Sequence, residues 1–474
     1  MRTVGRFARR WQLGPSRRYR GRRVLGYLLT VPVPASGLRN AAPRRSSGNG
    51  RHNPGMTSLM TTPAAIWLIV GATTAGVLLR PFRWPEAVWA VAGALLLVVL
   101  GLLPWQGAWA GVSRGADVYL FLVGMMLLAE VARREELFDW LAGIAVRAAR
   151  GSARRLFALV FAVGVLVTAF LSNDATAVVL TPAVYAAARV ARAEPMPYLL
   201  ICAFVANAAS FVLPISNPAN LVVYGQAMPP LWDWLRLFTL PSLLAIAATY
   251  LALRLTQRRH LAAPIATEVP GTELPRGGMV AGLGIAVTVV VMLAASAGGH
   301  DLGLPTFLAG IATAALVLLV TRQTPRALVR SVSWSVLPLV AGLFVLVQAL
   351  EAAGTVGALA RLLQGAGSAQ AEAWGAGIGV ALLANLVNNL PMGLLSGAVV
   401  EAAGAPAVTA GAILIGVDLG PNLSVTGSLA TLLWLVAIRR EGQDIGALSF
   451  LKLGALVMPP ALLLALAALI HAPW

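Results

Sequence analysis

The sequence predicts an all-α protein that crosses a membrane many times, and three features support this fold class. Of its 474 residues, 58% are hydrophobic and only 11% are charged, whereas soluble domains carry about 25% charged residues. The mean hydropathy of +0.79 describes the whole length rather than one anchor. Apolar runs long enough to cross a hydrocarbon core of about 30 Å recur along the chain. These features exclude a soluble globular fold.

The apolar runs predict about ten transmembrane helices. They lie near residues 64–80, 86–103, 117–132, 196–228, 235–253, 277–297, 304–321, 334–351, 407–438 and 446–470. Two of them, 196–228 and 407–438, contain polar breaks, which predicts two broken helices. Two further stretches, 156–190 and 372–404, carry polar residues at their middles. We expect these to be re-entrant helical hairpins that enter and leave the membrane on the same side.

The basic residues orient this threading. After residue 55, twenty Lys and Arg residues fall on one side of the membrane, and only Arg114, Arg236 and Arg361 fall on the other. Such a bias marks the cytoplasmic side. Hairpin 156–190 is then expected to open to the cytoplasm and hairpin 372–404 to the outside, in a multi-pass protein of the inner cell membrane.

Residues 1–55 differ in composition from the rest, with 13 Arg and no Asp or Glu. Most of the formal net charge of +18 therefore comes from this tail. A basic tail could bind nucleic acid or anionic lipid. Its Pro, Gly and Ser content favours a disordered segment. The alternative is that the tail is translated upstream sequence, since Met56 and Met60 stand just before the first apolar span. We therefore expect no nucleic-acid partner.

The two halves of the chain resemble each other in short patches. LSND at 171–174 matches LVNN at 386–389, an offset of 215 residues, and NLVVYG at 220–225 matches NLSVTG at 422–427. Because five predicted crossings per half is an odd number, the second copy must lie inverted in the membrane. Inverted repeats built around broken helices are typical of secondary transporters.

This comparison predicts the domain organisation. The first inverted repeat covers residues 56–258 and the second covers 277–474. A polar linker, residues 259–276, joins them on the cytoplasmic side.

Four polar clusters interrupt the apolar helices and form the candidate binding site. Pro and Gly in these clusters stop the backbone from completing its own hydrogen bonds, which hydrocarbon tolerates only where protein, water or a ligand satisfies the exposed groups. A single break is typical of a kinked helix, but four that pair across two repeats favour a site. The predicted substrate-binding residues, which offer amide and hydroxyl groups, are Ser172, Asn173, Asn217, Asn220, Asn388, Asn389, Asn422 and Thr426.

Two carboxylates, Asp174 and Asp418, lie within these breaks with no Lys or Arg beside them. An ionised Asp at membrane depth costs about 2.5–3.5 kcal/mol on insertion scales, so it tends to hold a proton or bind a cation. We predict proton coupling for both, and the alternative is that each caps a half-helix N-terminus. One Cys and four His without paired spacing favour neither a metal site nor a cofactor.

At these motifs the chain resembles the arsenical-pump membrane protein (ArsB) family of the ion transporter superfamily. The resemblance is carried by LSNDATAVVLTP at 171–182, SFVLPISNPAN at 210–220, NNLP at 388–391 and, most specifically, GVDLGPNLSVTGSLATLLW at 416–434. It covers about residues 60–470. It implies export of arsenite and antimonite driven by proton entry, an elevator-like movement, and a soluble arsenical pump-driving ATPase as an optional partner. By motif match it also implies binding roles for the Asn and Asp residues named above.

The chemistry of the breaks suits this substrate but leaves alternatives. Arsenite near neutral pH is an uncharged trihydroxide, which fits a cage of amides and hydroxyls better than an Arg clamp. The SNPAN motif at 216–220 also resembles sodium-coupled or dicarboxylate relatives, so a sodium-coupled anion transporter or a sodium/proton antiporter is the second hypothesis. A membrane-embedded enzyme using Asp174 and Asp418 as paired acids is a third. It lacks a paired His, a Ser/His arrangement or a phosphate loop, so we expect no enzyme.

Overall fold

The computed structural model describes residues 54–267, 273–365 and 367–472. The expectations for the basic tail, residues 1–55, therefore fall outside the described residues except at its last two positions. The predicted linker 259–276 is described only in part. Within the described ranges the chain forms twenty α-helices joined by turns and short 3₁₀ or π segments, with no β-strand. The predicted all-α class is confirmed.

Ten of these helices belong to the first half of the chain. They are α1 (Pro54–Leu79), α2 (Glu86–Val99), α3 (Trp105–Arg114), α4 (Ala116–Arg134), α5 (Leu137–Ala149), α6 (Ala153–Phe170), α7 (Thr181–Val190), α8 (Met196–Ala208), α9 (Pro218–Tyr224) and α10 (Leu231–Thr256). Helices α3 and α5 are amphipathic and short, which is why the search for long apolar runs did not predict them.

The second half contains the other ten. They are α11 (Arg276–Ala297), α12 (Gly303–Thr321), α13 (Pro325–Ser331), α14 (Val336–Ala352), α15 (Thr355–Gln364), α16 (Ala369–Val387), α17 (Asn389–Ala403), α18 (Ala407–Leu419), α19 (Leu429–Arg440) and α20 (Ala447–His471). Helices α13 and α15 were also not predicted, because each is shorter than a membrane span.

Six of the helices described are long and apolar enough to cross a membrane, and the number rises to eight if two bent pairs, α3 with α4 and α13 with α14, each form one span. Large apolar side chains cover their outer faces. Leu283, Val290 and Leu319 are 65%, 65% and 75% exposed. Such continuous exposed apolar surface requires lipid, so the chain is a multi-pass membrane protein. The total of ten crossings and the inversion of the second half stay predictions.

Two helical hairpins lie where the sequence predicts them. Hairpin 1 consists of α6, a turn, a π segment at Ala175–Leu180 and α7. Its two ends lie side by side, because Ile265 N–H donates to Gly151 and Ala266 N–H donates to Ala191, at 3.1 and 2.8 Å. Hairpin 2 consists of α16 and α17, which meet at Asn388.

Two broken helices also match the prediction. Helices α8 and α18 each have 13 residues. Each is followed by nine residues without α-helix, 209–217 (break 1) and 420–428 (break 2), after which α9 and α19 begin. Because α8 with break 1 and α18 with break 2 have the same helix and break lengths, their equivalent positions differ by 211 residues. The patch NLSVTG therefore does not align structurally with NLVVYG, which begins inside α9.

Helices α16 and α18 pack closely through small residues. Gly377 and Ala381 on α16 face Ala412, Gly416 and the following break. A Cβ atom added at Gly416 would overlap the carbonyl oxygen of Gly377. In lipid, where burial of apolar surface drives helix association only weakly, such small-residue contacts let two backbones approach and gain van der Waals energy. This contact holds hairpin 2 against break 2.

The substitution Gly416→Ala is expected to destabilise the protein by about 1–3 kcal/mol, because the added methyl group must push two backbones apart. The measurement is the midpoint of thermal unfolding of the full chain in detergent. Gly375→Ala on α16 is the matched control, since no atom lies within 4 Å of a Cβ at that position. Equal midpoints for the two variants would contradict the packing argument.

Candidate functional site

The tip of hairpin 1 is hydrogen-bonded to break 1. The backbone N–H of Asn173 donates to the carbonyl of Ser216 at 3.1 Å. The Ser216 hydroxyl donates to the carbonyl of Ala169 at 2.9 Å. At the turn itself, Ser172 Oγ accepts the N–H of Ala175 at 3.1 Å. Polar groups exposed by one interruption are thus satisfied by the other.

The tip of hairpin 2 makes the equivalent contacts with break 2. The N–H of Asn389 donates to the carbonyl of Gly427 at 2.8 Å. Asn388 Nδ2 donates to the carbonyl of Thr426 at 3.2 Å. Asn388 has a φ of 78° and a ψ of 152°, a backbone conformation outside the left-handed helical region that residues other than Gly rarely adopt. By backbone contact, the counterpart of Asn173 is therefore Asn389, one position beyond the match made on sequence.

Asn385 is a residue of this network that the sequence analysis missed. Its Nδ2 donates to the carbonyls of Ala381 and Gly420 at 2.8 and 2.9 Å. Its Oδ1 accepts the Ser424 hydroxyl at 2.7 Å, and its carbonyl accepts the Thr426 hydroxyl at 3.1 Å. The available signal was a third Asn one turn before Asn388, in a helix that is otherwise apolar.

The two broken helices are also joined to each other, each bond running from one break to the helix that precedes the other break. Asn217 Nδ2 donates to Asp418 Oδ1 at 2.7 Å. Asn207 Nδ2 donates to Asn422 Oδ1 at 3.0 Å. All four residues are at most 3% exposed. Asn207, which the sequence analysis did not include, is the second-to-last residue of α8, and Asp418 is the second-to-last of α18.

The side chain of Asn220, in the first turn of α9, stabilises break 1. Its Nδ2 lies within 2.9–3.3 Å of the carbonyls of Ser210, Leu213 and Pro214. Three carbonyls that the interruption leaves without helical partners thus share one amide. Asn422 in break 2 likewise donates to a backbone carbonyl, that of Phe204 in α8, at 3.1 Å.

A cavity of about 30 Å³ lies where the two tips and the two breaks meet. A single buried water needs about 10–15 Å³ by this measure, so the cavity holds only a small group in this conformation. Its lining residues are Leu122, Asn173, Asp174, Asn217, Pro218, Ala219, Val336, Val340, Asn389, Leu390, Ser428, Leu429 and Ala430. Polar groups come from the tips and breaks, and apolar side chains of α4 and α14 form the opposite wall.

The predicted site residues divide into two groups. Four line the cavity: Asn173, Asp174, Asn217 and Asn389. The others lie behind these four and hold the interruptions in shape: Ser172, Asn220, Asn388, Asn422, Thr426 and Asp418. Ser428, which was not predicted as a site residue, also lines the cavity.

Helix N-termini converge on this cavity. Asn217 and Ser428 are the N-caps of α9 and α19 and accept the N–H groups of Ala219 and Ala430. Helix α17 and the π segment of hairpin 1 begin at the same cavity. Helix N-termini carry partial positive charge, so the backbone makes the cavity electropositive.

The alternative role as a helix cap is wrong for Asp418, which lies in the last turn of α18, at the opposite end from an N-cap. Asp174 stands at the N-cap position of the π segment, where its side chain makes no capping hydrogen bond. For Asp174 both roles stay predictions. Within the described ranges, no basic side chain forms an ion pair with either residue.

A second, larger chamber of about 540 Å³ is lined by some of the same helices. Its walls lie about one helical turn further along α4, α9, α14 and α17, at Val118, Val222, Phe344 and Leu394. Three carboxylates face the chamber, those of Asp117, Asp301 and Glu401. Its one arginine, Arg114, is paired with Glu351 at 2.8 Å. The chamber is therefore acidic.

Asn207→Ala is expected to destabilise the protein by about 1–3 kcal/mol, because it leaves Asn422 Oδ1 buried without a donor. Thermal unfolding of the purified full chain checks this. The control is Cys202→Ala on the same helix, since Cys202 is equally buried but makes only a 3.9 Å contact with the Tyr198 carbonyl. If both variants lose the same stability, the hydrogen bond from Asn207 in α8 to Asn422 in break 2 contributes nothing.

The chain was compared with protein families and known proteins. The CitMHS family model, described as "Citrate transporter", matches residues 65–419. An arsenical pump membrane protein of Escherichia coli is 24% identical over 423 residues, covering 80% of this chain and 98% of the relative. A second, from E. coli strain K12, is 26% identical over 404 residues, covering 80% of this chain and 92% of the relative. An uncharacterized transporter of Mycobacterium tuberculosis is 28% identical over 407 residues, with coverage of 82% and 94%.

Among solved structures, the YdaH transporter of Alcanivorax borkumensis superposes with a TM-score of 0.53 at 17% identity, covering 77% of this chain and 86% of that one. At this identity the likeness concerns the fold alone. The predicted resemblance to arsenical-pump membrane proteins is confirmed by the relatives. Because the family model spans most of the described chain, the protein belongs to the citrate transporter (CitMHS) family of membrane transporters.

Proposed function

We propose that this transporter exports arsenite and antimonite in exchange for protons. The observation that carries the proposal is the lining of the 30 Å³ cavity, which combines amides, a hydroxyl and one carboxylate with no Arg, Lys or His among the described residues. The relatives named as arsenical pump membrane proteins, aligned over 80% of this chain, support it.

The chemistry of the cavity suits a small uncharged trihydroxide. Asn173 and Asn389 each place at the cavity an amide that can both donate and accept hydrogen bonds. The amide of Asn217 is already bonded to Asp418 and to the N–H of Ala219, which leaves it one N–H for the cargo. The hydroxyls of arsenite can donate to Asp174 and accept from these amides. No side-chain cation among the described lining residues is available to balance a multiply charged anion, and the cavity is too small in this conformation for a bulky one.

The absence of thiol ligands in the cavity favours release of the cargo. Trivalent arsenic prefers thiolates, but the one Cys of the chain, Cys202, is fully buried in α8 and does not line the cavity. Contacts through oxygen and nitrogen are weaker and exchange faster. A transporter needs this, because a cargo that is bound too tightly is not delivered.

Proton coupling is proposed for Asp174 and Asp418. Asp174 lines the cavity, so a proton on its carboxyl group would remove an acceptor that the cargo hydroxyls use. Proton and cargo would then weaken each other's binding, which is the reciprocity that exchange requires.

Asp418 would act from behind the cavity. It is 0% exposed and its Oδ2 has no partner among the described residues. Its Oδ1 accepts a hydrogen bond from Asn217, which itself lines the cavity. Since a buried charge without a cation is costly, the carboxyl group is suited to carrying a proton, and Asn217 would report its state to the cavity.

The division of the cavity supports an elevator-like movement. Its polar side belongs to the hairpin tips and breaks, which are hydrogen-bonded to one another. Its other side consists of Leu122, Val336 and Val340. An apolar wall breaks no hydrogen bonds when it slides, so the tips and breaks could move past α4 and α14 as one body.

The optional ATPase partner is part of this proposal through the resemblance alone.

A carboxylate anion is the second candidate cargo, with sodium or protons as the coupling ion. The converging helix N-termini favour it, because such termini bind anionic groups in transporters. The family description names citrate. The acidic chamber beside the cavity counts against it, since Asp117, Asp301 and Glu401 would repel an anion on that route.

Asp174→Asn and Asp418→Asn are each expected to abolish uptake of arsenite driven by a pH gradient in everted membrane vesicles. The reason is that an amide cannot exchange a proton. Asp233→Asn is the matched control, because that carboxylate is exposed and pairs only loosely with Arg236 at 3.8 Å. Gradient-driven uptake that persists in both site variants at normal expression would remove the coupling role.

The cargo itself is tested with the purified full chain in proteoliposomes. Arsenite and antimonite are expected to enter the proteoliposomes in exchange for protons that leave them. Replacing sodium by potassium is expected to leave this uptake unchanged. Citrate is expected to be excluded, since no basic side chain lines the cavity within the described ranges. Sodium-dependent citrate uptake without metalloid uptake would establish the second candidate instead.

A further inference from the structure

A groove of about 400 Å³ lies away from the proposed transport site, between the start of α6 and the end of α10. It is lined by Arg154, Leu251, Arg254, Leu255, Arg258 and Leu261. Three arginines and three leucines, with no other residue type, surround it.

The position of the groove is at the end of two apolar helices. Arg154 is in the first turn of α6, and Arg254 is in the last turn of α10. Both helices are long and apolar enough to cross a membrane. Leu251, Arg254 and Leu255 follow the spacing of one face of α10, and Arg258 lies in the turn directly after that helix. The arginines therefore lie at the depth where lipid headgroups meet the hydrocarbon.

The leucines of the groove differ in exposure. Leu251 and Leu255 are 55% and 63% exposed on the outer face of α10. Leu261 is only 3% exposed. The exposed pair therefore faces lipid chains, whereas Leu261 forms the floor of the groove.

The positive charge of the groove is unbalanced. Other arginines at helix ends pair with carboxylates, such as Arg134 with Glu130 at 2.9 Å and Arg439 with Asp444 at 2.8 Å. In the described parts of the chain, Arg154, Arg254 and Arg258 have no such partner. The N-terminus of α6 adds partial positive charge.

One of the three guanidinium groups is held in place. Arg254 donates to the Tyr250 hydroxyl at 3.2 Å and lies over the Tyr250 ring at 5.8 Å. Tyr250 in turn packs on Phe157 and Phe161 of α6, with ring centroids 6.0 and 5.0 Å apart. The aromatic contact fixes both walls of the groove and pre-positions the charge.

We propose that this groove binds the headgroup of an anionic phospholipid of the cytoplasmic leaflet, with its acyl chains along Leu251 and Leu255. The arginines match the phosphate in charge and in their capacity for paired hydrogen bonds. Basic pockets between membrane helices on the cytoplasmic side bind such headgroups. A soluble anion would gain nothing from the exposed leucines. The bound lipid would fasten the open end of hairpin 1 to α10.

The test compares lipids on the purified, delipidated full chain in detergent. Phosphatidylglycerol is expected to raise the midpoint of thermal unfolding, whereas phosphatidylcholine and inorganic phosphate leave it unchanged. The triple variant R154Q/R254Q/R258Q is expected to lose this response, with apparent affinity falling about fivefold for each arginine removed. R322Q/R326Q/R330Q, three exposed arginines of another basic connection, is the matched control and is expected to respond like the wild type.

Three results would overturn the proposal. They are an equal response to inorganic phosphate, which would indicate a simple anion site, an equal response to phosphatidylcholine, and a full phosphatidylglycerol response in the triple Gln variant. If that variant fails to fold, the single variant R258Q and lipid counting by native mass spectrometry replace it. One fewer phosphatidylglycerol retained than by the wild type supports the site, and an unchanged count removes it.

Discussion

The structure depends on one constraint, that backbone groups released by a helix break inside a membrane must find partners within the protein. The described part of the chain has four interruptions, and each satisfies another. The tip of hairpin 1 bonds to break 1 through Asn173 and Ser216, and the tip of hairpin 2 bonds to break 2 through Asn389 and Gly427. The two broken helices are then joined side chain to side chain, from Asn217 in break 1 to Asp418 at the end of α18. One network therefore brings several helix N-termini to a single point.

This network explains why the site is both polar and well packed. Residues behind the cavity, such as Asn385 and Asn220, spend their hydrogen bonds on backbone carbonyls. The residues in front, such as Asn173 and Asn389, reach the network through backbone N–H groups, which leaves their side chains at the cavity. Structure is thus maintained by one set of amides, while another set lines the cavity.

The cavity combines contributions from the backbone with contributions from side chains. The helix N-termini at the cavity are a property of the backbone, whereas the lining side chains can change without altering the fold. In this chain the lining includes a carboxylate and no basic residue among those described. Within a family described as citrate transporters, relatives named as arsenical pump membrane proteins align over most of this chain. Under the proposed function, a few lining side chains would select a neutral cargo over an anionic one.

The sequence by itself determined the all-α membrane class, the two hairpins, the two broken helices and most of the polar residues of the network. It could do so because hydropathy and helix-breaking residues act locally. It missed α3 and α5, which are short and amphipathic, and it missed Asn207 and Asn385, which lie within helices rather than in the breaks. It also matched Asn173 with Asn388 instead of Asn389, because Asn388 and Asn389 are adjacent and a sequence comparison cannot distinguish two neighbouring Asn residues. Only the tertiary structure decided which residues face the cavity and which support it, since that depends on contacts such as the one from Asn217 to Asp418, which are 201 positions apart.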